Sequence, residues 1–332
     1  MSVIEREIGP REEWLGWRRE NVNASEGACL YGEDAHPYLT VYKLWADRSG
    51  LIEPDPDNPI LRRGRLLEPV AIELLQEERP MWQVWRPHLY LHDPEFRIGA
   101  TPDVYAERTE PAPAGSLWKT GQQHRSRGNV QIKTAGHFAF RKNWLDPDTR
   151  LVEIPLWIAV QSSIEAYLSG ADWTAVAVMA VGDGGIEFHV EEFPIKLNLI
   201  ARYKELVGEF WEAVRIGRPP AINFERDQST LFDVYADDDG SMIDLTRDEE
   251  IKRLLRARKV HSAEEKRGRE AEAERKKIDA QIIARLGNAA SARIGPVLVY
   301  AKTVKNKGYT IEPFQYRSVR VKGDVAVIGS AG

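Results

Sequence analysis

A strand break followed by a strand of alternating character constrains the fold of this chain more than any other stretch of the sequence. Residues 130–133 read Val-Gln-Ile-Lys, which predicts a strand with its polar side chains on one face and its apolar side chains on the other. Upstream, Asp103 follows Pro102, and a proline cannot donate a backbone hydrogen bond to a sheet. The sequence therefore predicts that Asp103 lies where a strand ends or bends, ahead of the alternating strand.

These residues are suited to holding a divalent cation. Hard cations such as Mg²⁺ take oxygen ligands, keep several water molecules, and use one or two carboxylates together with a substrate phosphate. Asp103 offers a carboxylate, Gln131 offers an amide oxygen, and Lys133 can orient a water molecule and offset phosphate charge. From the residues alone two plainer interpretations stay open: Thr-Pro-Asp is a common turn, and Gln-x-Lys is common on a solvated strand face.

Three further segments complete a pattern that is similar to a known family. Residues 13–26 contain Trp-x-x-x-Arg followed by Ala-Ser, residues 63–69 contain Gly-x-x-x-Glu, and Gln161 follows the strands described above. Together with Asp103 and the Gln-x-Lys strand, these segments resemble the PD-(D/E)xK nuclease superfamily. More narrowly, they resemble the lambda-type alkaline exonucleases and the YqaJ-type viral recombinases. The resemblance extends over about residues 11–220.

The resemblance implies an α/β fold with a PD-(D/E)xK restriction-endonuclease-like core, in which helices flank a central mixed sheet. The periodicity of apolar residues predicts a helix over about residues 64–79, with Glu68 at the edge of its apolar stripe. It predicts a second, largely apolar helix over 152–169, which contains Gln161.

Composition divides the chain into three parts. These are residues 1–224, which the resemblance implies are an exonuclease core, an acidic linker over 225–246, and a charged C-terminal part over 247–332. The C-terminal part is expected to contain a long helix over 247–286 and a basic β-hairpin. The two hairpin strands are predicted over 297–305 and 309–321, across an Asn-Lys-Gly turn.

By resemblance, the chain is expected to be a Mg²⁺-dependent deoxyribonuclease, with Mn²⁺ as an alternative ion, that degrades duplex DNA from the 5′ end in phage-type recombination. The positions that match the family's motifs imply metal binding by Asp103, Gln131 and the Ile132 carbonyl, catalysis by Lys133, Glu68 and Gln161, and 5′-phosphate binding by Arg18 and Ser25. Gln131 departs from the family, which usually has Glu there. An amide oxygen can bind Mg²⁺ but brings no negative charge.

Two other functions fit the same residues. A DNA-end-binding recombination module with weakened catalysis would bind duplex ends without Mg²⁺-dependent nucleotide release, and an endonuclease of the same superfamily would cut circular DNA. The resemblance implies DNA ends as the substrate and the cytoplasm of a bacterial host as the location, for a bacterial or phage-encoded protein. It adds a single-strand annealing protein and a homo-oligomer as candidate partners.

Composition excludes several classes of protein. The 332 residues include one cysteine, Cys29, which excludes an internal disulfide framework and a cysteine zinc cluster. No apolar run approaches the roughly 20 residues of a membrane-spanning helix, and the acidic N-terminal residues do not predict a signal peptide. No Walker or dinucleotide-binding motif is present. The net charge of −5 does not predict a nucleic-acid binder, so DNA binding would depend on a local basic surface.

Such a surface is predicted around an exposed loop between Glu110 and Val130. Residues 111–145 contain no acidic side chain, and aromatic residues lie among the basic ones. Basic groups with aromatic neighbours suit a DNA backbone and unstacked bases, although a solvated loop would have the same composition. The basic residues predicted to contact DNA are Lys119, Arg125, Arg127, Arg141 and Lys142.

Overall fold

The computed structural model describes residues 3–54, 58–111, 123–237, 242, 244–286, 291–294 and 297–300. The chain divides into two units, Met1–Val234 and Tyr235–Gly332. The helices are α1 (Arg11–Arg19), α2 (Val41–Arg48), α3 (Pro59–Glu78), α4 (His137–Asn143), α5 (Leu156–Ser169), α6 (Leu197–Arg215), α7 (Gln228–Val234) and α8 (Glu249–Leu286), and Gly27–Tyr31 forms a 3₁₀ turn. The strands are β1 (Ile4–Glu7), β2 (Val22–Asn23), β3 (Gln83–Trp85), β4 (Leu89–Asp93), β5 (Ile98–Ala100), β6 (Val104–Pro111), β7 (Gln123–Gly136), β8 (Trp173–Gly182), β9 (Gly185–Phe193), β10 (Ser291–Ile294) and β11 (Val297–Tyr300).

A five-stranded mixed sheet carries much of the predicted site. Its strand order is β3–β6–β7–β8–β9, in which β7 and β8 are parallel and the other neighbours are antiparallel. The chain leaves β7 through α4 and α5 before it returns in β8, because parallel strands need a long crossover. Helices contact this sheet from α3, α4 and α5. The mixed α/β architecture expected from the sequence is confirmed.

The side chains of β7 alternate between two layers. Val130 and Ile132 pack with Leu75 of α3 in one apolar cluster, whereas Val176 of the neighbouring strand packs with Ile158 of α5 in another. The polar residues of β7 hydrogen-bond to α5. The alternation predicted for this strand is therefore confirmed, and it turns the polar residues toward α5.

Residues 101–103 form no strand and separate β5 from β6, so Asp103 lies at a strand break as predicted. In the antiparallel pairing of β6 with β7, Val104 lies opposite Val130. This register brings Asp103, one residue before β6, beside Gln131.

A second mixed sheet, in the order β1–β4–β5–β2, supports the segment around Ser25. Strand β2 runs parallel to β5, and Val22 pairs with Ile98. Both residues are buried in an apolar cluster that includes Ile164 of α5 and Tyr203 of α6. The short segment that follows β2 is therefore held close to α5, the helix that carries Gln161.

Helix α3 begins at Pro59, earlier than the predicted start at residue 64. The side chain of Asn58 accepts hydrogen bonds from the backbone N–H groups of Ile60 and Leu61 at 3.0 and 2.9 Å. Asparagine is a favoured N-cap and proline a favoured first helical residue. The extra turn extends α3 beside the site.

The prediction of a loop between Glu110 and Val130 is wrong from Gln123 onward, where the chain forms a strand. Strand β7 begins at Gln123, and its pairing with β6 extends to Pro111. The strand was not predicted because Gly128 and the polar Ser126 interrupt the apolar pattern. Ser126 is nevertheless buried, and Gly128 packs so closely against the Trp173 ring that a Cβ atom would overlap it.

The C-terminal unit contains α8 and the antiparallel pair β10–β11. Residues 249–277 of α8 are largely exposed, and ion pairs such as Arg269–Glu265 at 3.1 Å lie along the helix. The first predicted hairpin strand overlaps β11, which pairs with the unpredicted β10; residues 301–321 of the predicted hairpin lie outside the described residues. Within the described ranges, no helix is long and apolar enough to cross a membrane.

Candidate active site

Asp103 is held by the neighbouring strand through one carboxylate oxygen. Its Oδ2 accepts the backbone N–H of Ile132 at 2.9 Å and a short hydrogen bond from Nε2 of Gln131. Both donors belong to β7, so the register of β6 and β7 sets the position of this carboxylate.

Burial raises the pKa of Asp103 to about 6. The Lys133 ammonium opposes this rise, whereas the Glu68 carboxylate adds to it. Above pH 6 Asp103 is therefore largely ionised, which is the form that binds a metal ion.

A chain of hydrogen bonds between amides links Asp103 to Lys133. Gln131 donates to Asp103 and accepts at Oε1 from Nε2 of Gln161 at 3.0 Å. Oε1 of Gln161 in turn accepts from the Lys133 ammonium at 3.0 Å. Four residues singled out in the sequence are thus joined in one network, which spans the sheet and α5.

The network contains Glu165, which the sequence analysis did not single out. This residue lies one turn after Gln161 on α5, is buried, and accepts at Oε1 from Gln161 Nε2 at 2.8 Å. Its other oxygen accepts from Nδ2 of Asn129 at 3.3 Å. Burial, reinforced by the charge of Asp103, raises the pKa of Glu165 to about 8. The sequence carries only a weak signal for it: Glu165 is the one acidic or basic residue of α5, and it lies four positions after Gln161.

Glu68 lies on α3 at the edge of this network. It pairs with Arg86 through a short hydrogen bond, and its charge contributes to the raised pKa of Asp103. Its side chain is largely shielded from solvent rather than projecting into it. Glu68 therefore lies beside Asp103, and its carboxylate is paired with the Arg86 guanidinium.

Arg18 and Ser25, predicted to bind a 5′-phosphate, contact each other. Nη2 of Arg18 donates to the Ser25 hydroxyl at 3.2 Å, and the guanidinium lies 5.0 Å from the centroid of the Trp14 ring. The Glu26 carboxylate lies 3.6 Å from Arg18 and also pairs with the buried Arg48. The guanidinium of Arg18 is thus held by an aromatic face, a hydroxyl and a carboxylate.

All eight residues predicted for metal binding, catalysis and 5′-phosphate binding line one cavity of about 360 Å³. Its lining includes Arg18, Ser25, Glu68, Asp103, Gln131, Ile132, Lys133 and Gln161, together with Glu165. These residues come from α1, the segment after β2, α3, the break before β6, β7 and α5. The volume lies within the usual range of ligand-binding clefts.

The donor atoms around Gln131 fit a hard cation. Nε2 of Gln131 lies between Oδ2 of Asp103 and the carbonyl oxygen of Ile132, the latter at 3.5 Å. Two oxygens therefore approach one amide N–H group, and oxygen is the type of ligand that Mg²⁺ takes in proteins. No group of three or more His, Cys, Asp or Glu side chains that could hold a metal ion occurs in the described part of the chain. The candidate ligands are thus one carboxylate, one backbone carbonyl and one amide.

Two of the predicted DNA-binding residues lie on α4, the helix that directly follows β7. Arg141 and Lys142 are exposed on α4, a helix that begins directly after the strand that carries Lys133. The aromatic ring of Phe138 is also exposed on α4, at 81% of its surface. This helix therefore places basic and aromatic groups just beyond the C-terminal end of β7, the end nearer to Lys133.

The other predicted DNA-binding residues are not brought to the cavity. Arg125 and Arg127 lie toward the opposite end of β7, and Arg127 is about 20 Å from Lys133 along the strand at 3.3 Å per residue. Arg125 pairs with Glu107 at 3.3 Å, and the guanidinium of Arg127 donates to the Ser169 carbonyl. Lys119 lies outside the described residues.

Comparison with known proteins gives one family match. Residues 13–172 match the model of the YqaJ-like viral recombinase domain. No curated protein matches the chain. Among solved structures, the chain is similar to the alkaline exonuclease LHK-Exo from Laribacter hongkongensis, with 19% identity, a TM-score of 0.41, and coverage of 66% of this chain and 99% of that one. It is also similar to LHK-Exo in complex with dAMP, with 18% identity, a TM-score of 0.41, and coverage of 66% and 98%.

Proposed function

Because residues 13–172 match the model of the YqaJ-like viral recombinase domain, we propose that this chain is a metal-dependent deoxyribonuclease that degrades duplex DNA from the 5′ end. The observation that carries the proposal is the single cavity that joins Asp103, Gln131, Lys133 and Gln161 with Arg18. The products are nucleotides released during phage-type recombination, in which a single-strand annealing protein is a candidate partner.

Asp103 and the carbonyl of Ile132 would hold the divalent cation, with Mg²⁺ as the expected ion and Mn²⁺ as an alternative. When bound, such an ion polarises the scissile phosphate and promotes ionisation of a water molecule. Gln131 would have to withdraw its amide nitrogen from between these two oxygens and present Oε1 instead. Both oxygens are fixed by the sheet, so the amide is the group that adapts.

Lys133 supplies the positive charge that acts directly on the reacting phosphate. Its ammonium uses one proton on Gln161 at 3.0 Å, which leaves two protons for a phosphate oxygen and the attacking water. Glu68, beside Asp103, can accept a hydrogen bond from that water. Charge that develops on the phosphate is thereby met by a group already in place, which is the usual origin of large electrostatic effects on rate.

Arg18 and Ser25 would determine the end from which the chain degrades DNA. A guanidinium can grip a terminal phosphate with two hydrogen bonds, and the Ser25 hydroxyl, 3.2 Å away, can donate beside it. A duplex whose 5′-phosphate is held there presents its first phosphodiester toward the rest of the cavity. Arg141 and Lys142 on α4 are candidates for contacts with the backbone of the duplex further on.

Release of nucleotides from a 5′-labelled linear duplex, measured with Mg²⁺ and with EDTA, tests the proposal. Asp103→Ala or Lys133→Ala should each lower the rate at least about 100-fold, because each removes a group aimed at the reacting phosphate or its metal ion. Duplex binding should persist, since contacts with the backbone are separate. Lys196→Ala, at an exposed lysine before α6, is the control and should keep the parental rate. Metal-independent release, or parental rates in either variant, would contradict the proposal.

The Gln131 amide favours one alternative function. Its nitrogen satisfies both oxygens that a cation would use, so a DNA-end-binding module with weakened catalysis remains a distinct candidate. Binding of duplex ends without Mg²⁺-dependent release would identify it. Cleavage of closed circular DNA would instead identify an endonuclease of the same superfamily.

A further inference from the structure

The orientation of one amide determines what the Lys133 ammonium meets. Oε1 of Gln161 faces Lys133 at 3.0 Å, whereas Nε2 faces Oε1 of Gln131 at 3.0 Å and Oε1 of Glu165 at 2.8 Å. If this amide were turned over, its nitrogen would face an ammonium and its oxygen would face two other oxygens. One orientation is therefore strongly preferred while both acceptors are present.

Glu165 is the more persistent of the two acceptors. It lies on the same helix as Gln161, four residues later, so the backbone of α5 fixes the distance between them. Gln131 is also bound to Asp103 and has to turn its amide if a cation is to bind. When Gln131 turns, Glu165 is the group in this network that still accepts from Nε2 of Gln161.

The surroundings of Glu165 let it accept this hydrogen bond in either protonation state. Oε2 meets the Asn129 amide, whose Oδ1 is buried without a hydrogen-bond partner in the described structure. Burial and the nearby Asp103 raise the pKa of Glu165, while Lys133 opposes the rise. A protonated Oε2 can donate to Oδ1 once the Asn129 amide turns, which leaves Oε1 as an acceptor for Gln161.

We propose that Glu165 is a positioning residue: through the Gln161 amide, it holds the Lys133 ammonium in the orientation that the site uses. The inference rests on the proposed nuclease function and adds to it a residue that does not itself touch the substrate. The chain of action runs from Glu165 Oε1 to Gln161 Nε2, and from Gln161 Oε1 to Lys133 Nζ.

Steady-state kinetics on end-labelled duplex test the role of Glu165. Glu165→Leu should lower kcat about 10- to 100-fold with little change in KM, because a misplaced catalytic group costs rate rather than substrate binding. Glu165→Gln keeps an acceptor oxygen and should stay within about threefold of the parental kcat. Ser162→Ala is the matched control: Ser162 is buried on the same helix and bonds Thr174 at 2.7 Å, away from the cavity. It should lower the melting temperature and leave kcat unchanged.

A double-mutant cycle tests whether Glu165 acts through Gln161. In a Gln161→Leu background, adding Glu165→Leu should change kcat less than about twofold, because the link is already broken. Additive losses, or a parental kcat in Glu165→Leu, would overturn the proposal. Where the leucine variant does not fold, Glu165→Met is measured in the same cycle.

Competitive acetylation gives a readout that does not depend on activity. The labelling rate of Lys133 relative to exposed Lys196 should rise in Glu165→Leu and stay parental in Ser162→Ala, because only the first change releases the ammonium from its oriented partner. An unchanged ratio in a folded Glu165→Leu protein would overturn the positioning role. If the parental protein degrades no DNA, the proposed function fails, and this ratio still decides whether Glu165 orients Lys133.

Discussion

Gln131 is the residue at which this site departs from the family that it resembles. Its amide nitrogen donates to Asp103 and approaches the carbonyl of Ile132, so the metal-free site is held together by attraction. A glutamate here would set a second carboxylate beside Asp103, and two such groups repel each other unless a cation lies between them. The amide therefore stabilises the metal-free state and lowers the gain from binding a cation.

The Gln131→Glu variant should bind Mg²⁺ more tightly than the parental protein. The change is nearly isosteric and adds one ligand charge, so half-saturation should occur at a roughly tenfold lower Mg²⁺ concentration. Titration of Mg²⁺ against both the nuclease rate and the melting temperature measures this effect. Gln131→Met, which adds no charge, is the control. Equal or weaker Mg²⁺ dependence in Gln131→Glu would show that Gln131 does not stand in for an acidic ligand.

Glu165 should make the stability of the metal-free protein fall as the pH rises. Its pKa is about 8 in the folded protein against 4.5 as the ordinary value, so between these values the folded state keeps a proton that the unfolded state releases. The free energy of unfolding then decreases from about pH 4.5 to about pH 8, by an amount on the order of a few kcal/mol.

Urea denaturation in EDTA at pH 5 and pH 8 measures this dependence. Glu165→Gln lacks the titrating group and should lose less stability between the two pH values than the parental protein does. Asp103, with its pKa raised to about 6, contributes in the lower part of the window in both proteins. Equal pH dependence of the two proteins would mean that Glu165 ionises in its ordinary range.

The site residues on β7 were predictable from the sequence, whereas Glu165 was not. Val130 and Ile132 mark the buried face of the strand, so the polar character of Gln131 and Lys133 stood out against them. A glutamate in an apolar helix gives no comparable contrast, because charged residues occur at the edge of most helices. Its burial results from the packing of α5 on the sheet, which depends on contacts distant in sequence.

Among the elements, α1 and the segment after β2 act as one unit around Arg18. Burial alone would raise the pKa of Glu26, but the guanidinium groups of Arg48 and Arg18, with hydrogen bonds from Asn23, hold it below its usual value. Glu26 is therefore ionised at neutral pH. It fixes the loop that carries Ser25 and aligns the guanidinium of Arg18.

The Arg18→Ala variant should remove any preference for phosphorylated ends. The parental protein should degrade a 5′-phosphorylated duplex faster than a dephosphorylated one, since the guanidinium stabilises the bound phosphate. Arg19→Ala is the matched control, because Arg19 is the next residue of α1 and pairs with Asp47 at 3.6 Å instead. Initial rates on the two duplexes measure the preference. A parental protein that is indifferent to the phosphate would end this assignment.

The two halves of β7 show how far local sequence determines an element. Its second half alternates between apolar and polar residues, as the sequence predicted. In its first half, Asn129 and Ser126 are polar but buried, because their environment is provided by other strands and helices: the carbonyl of Asn129, for example, accepts from Thr174 of β8. Periodicity could not distinguish these residues from an exposed loop, since the residues that contact Asn129, namely Glu165 and Thr174, lie 36 and 45 residues away in the sequence.

At the scale of the whole chain, α7 lies between the predicted end of the core at residue 224 and the end of the first unit at Val234. Arg226 donates to the His36 carbonyl at 2.6 Å. Asp227 is buried and accepts hydrogen bonds from the Thr40 hydroxyl and from the backbone N–H of Asn223. This segment is therefore bonded to the region that follows the 3₁₀ turn.

A chain that ends at Val234 should be more stable than one that ends at Phe224. The shorter chain loses the hydrogen bonds of Arg226 and Asp227, and the buried partners left behind should cost roughly 3 kcal/mol in the free energy of unfolding. Urea denaturation of the two truncated proteins measures the difference, with the full chain as reference. Equal stability would place the functional boundary of the core at residue 224.

The cavity is built from segments spread widely along the chain, from Arg18 through Glu68, Asp103 and Lys133 to Glu165. During synthesis the ribosome adds about 5–20 residues each second, so about ten seconds separate the first of these from the last. Until α5 has emerged, the nascent chain carries Asp103 and Lys133 without the amide that orients the lysine. Under the proposed function, a polypeptide released by a stalled ribosome before that point would lack Gln161 and Glu165, so the complete candidate site forms only after α5 has been translated.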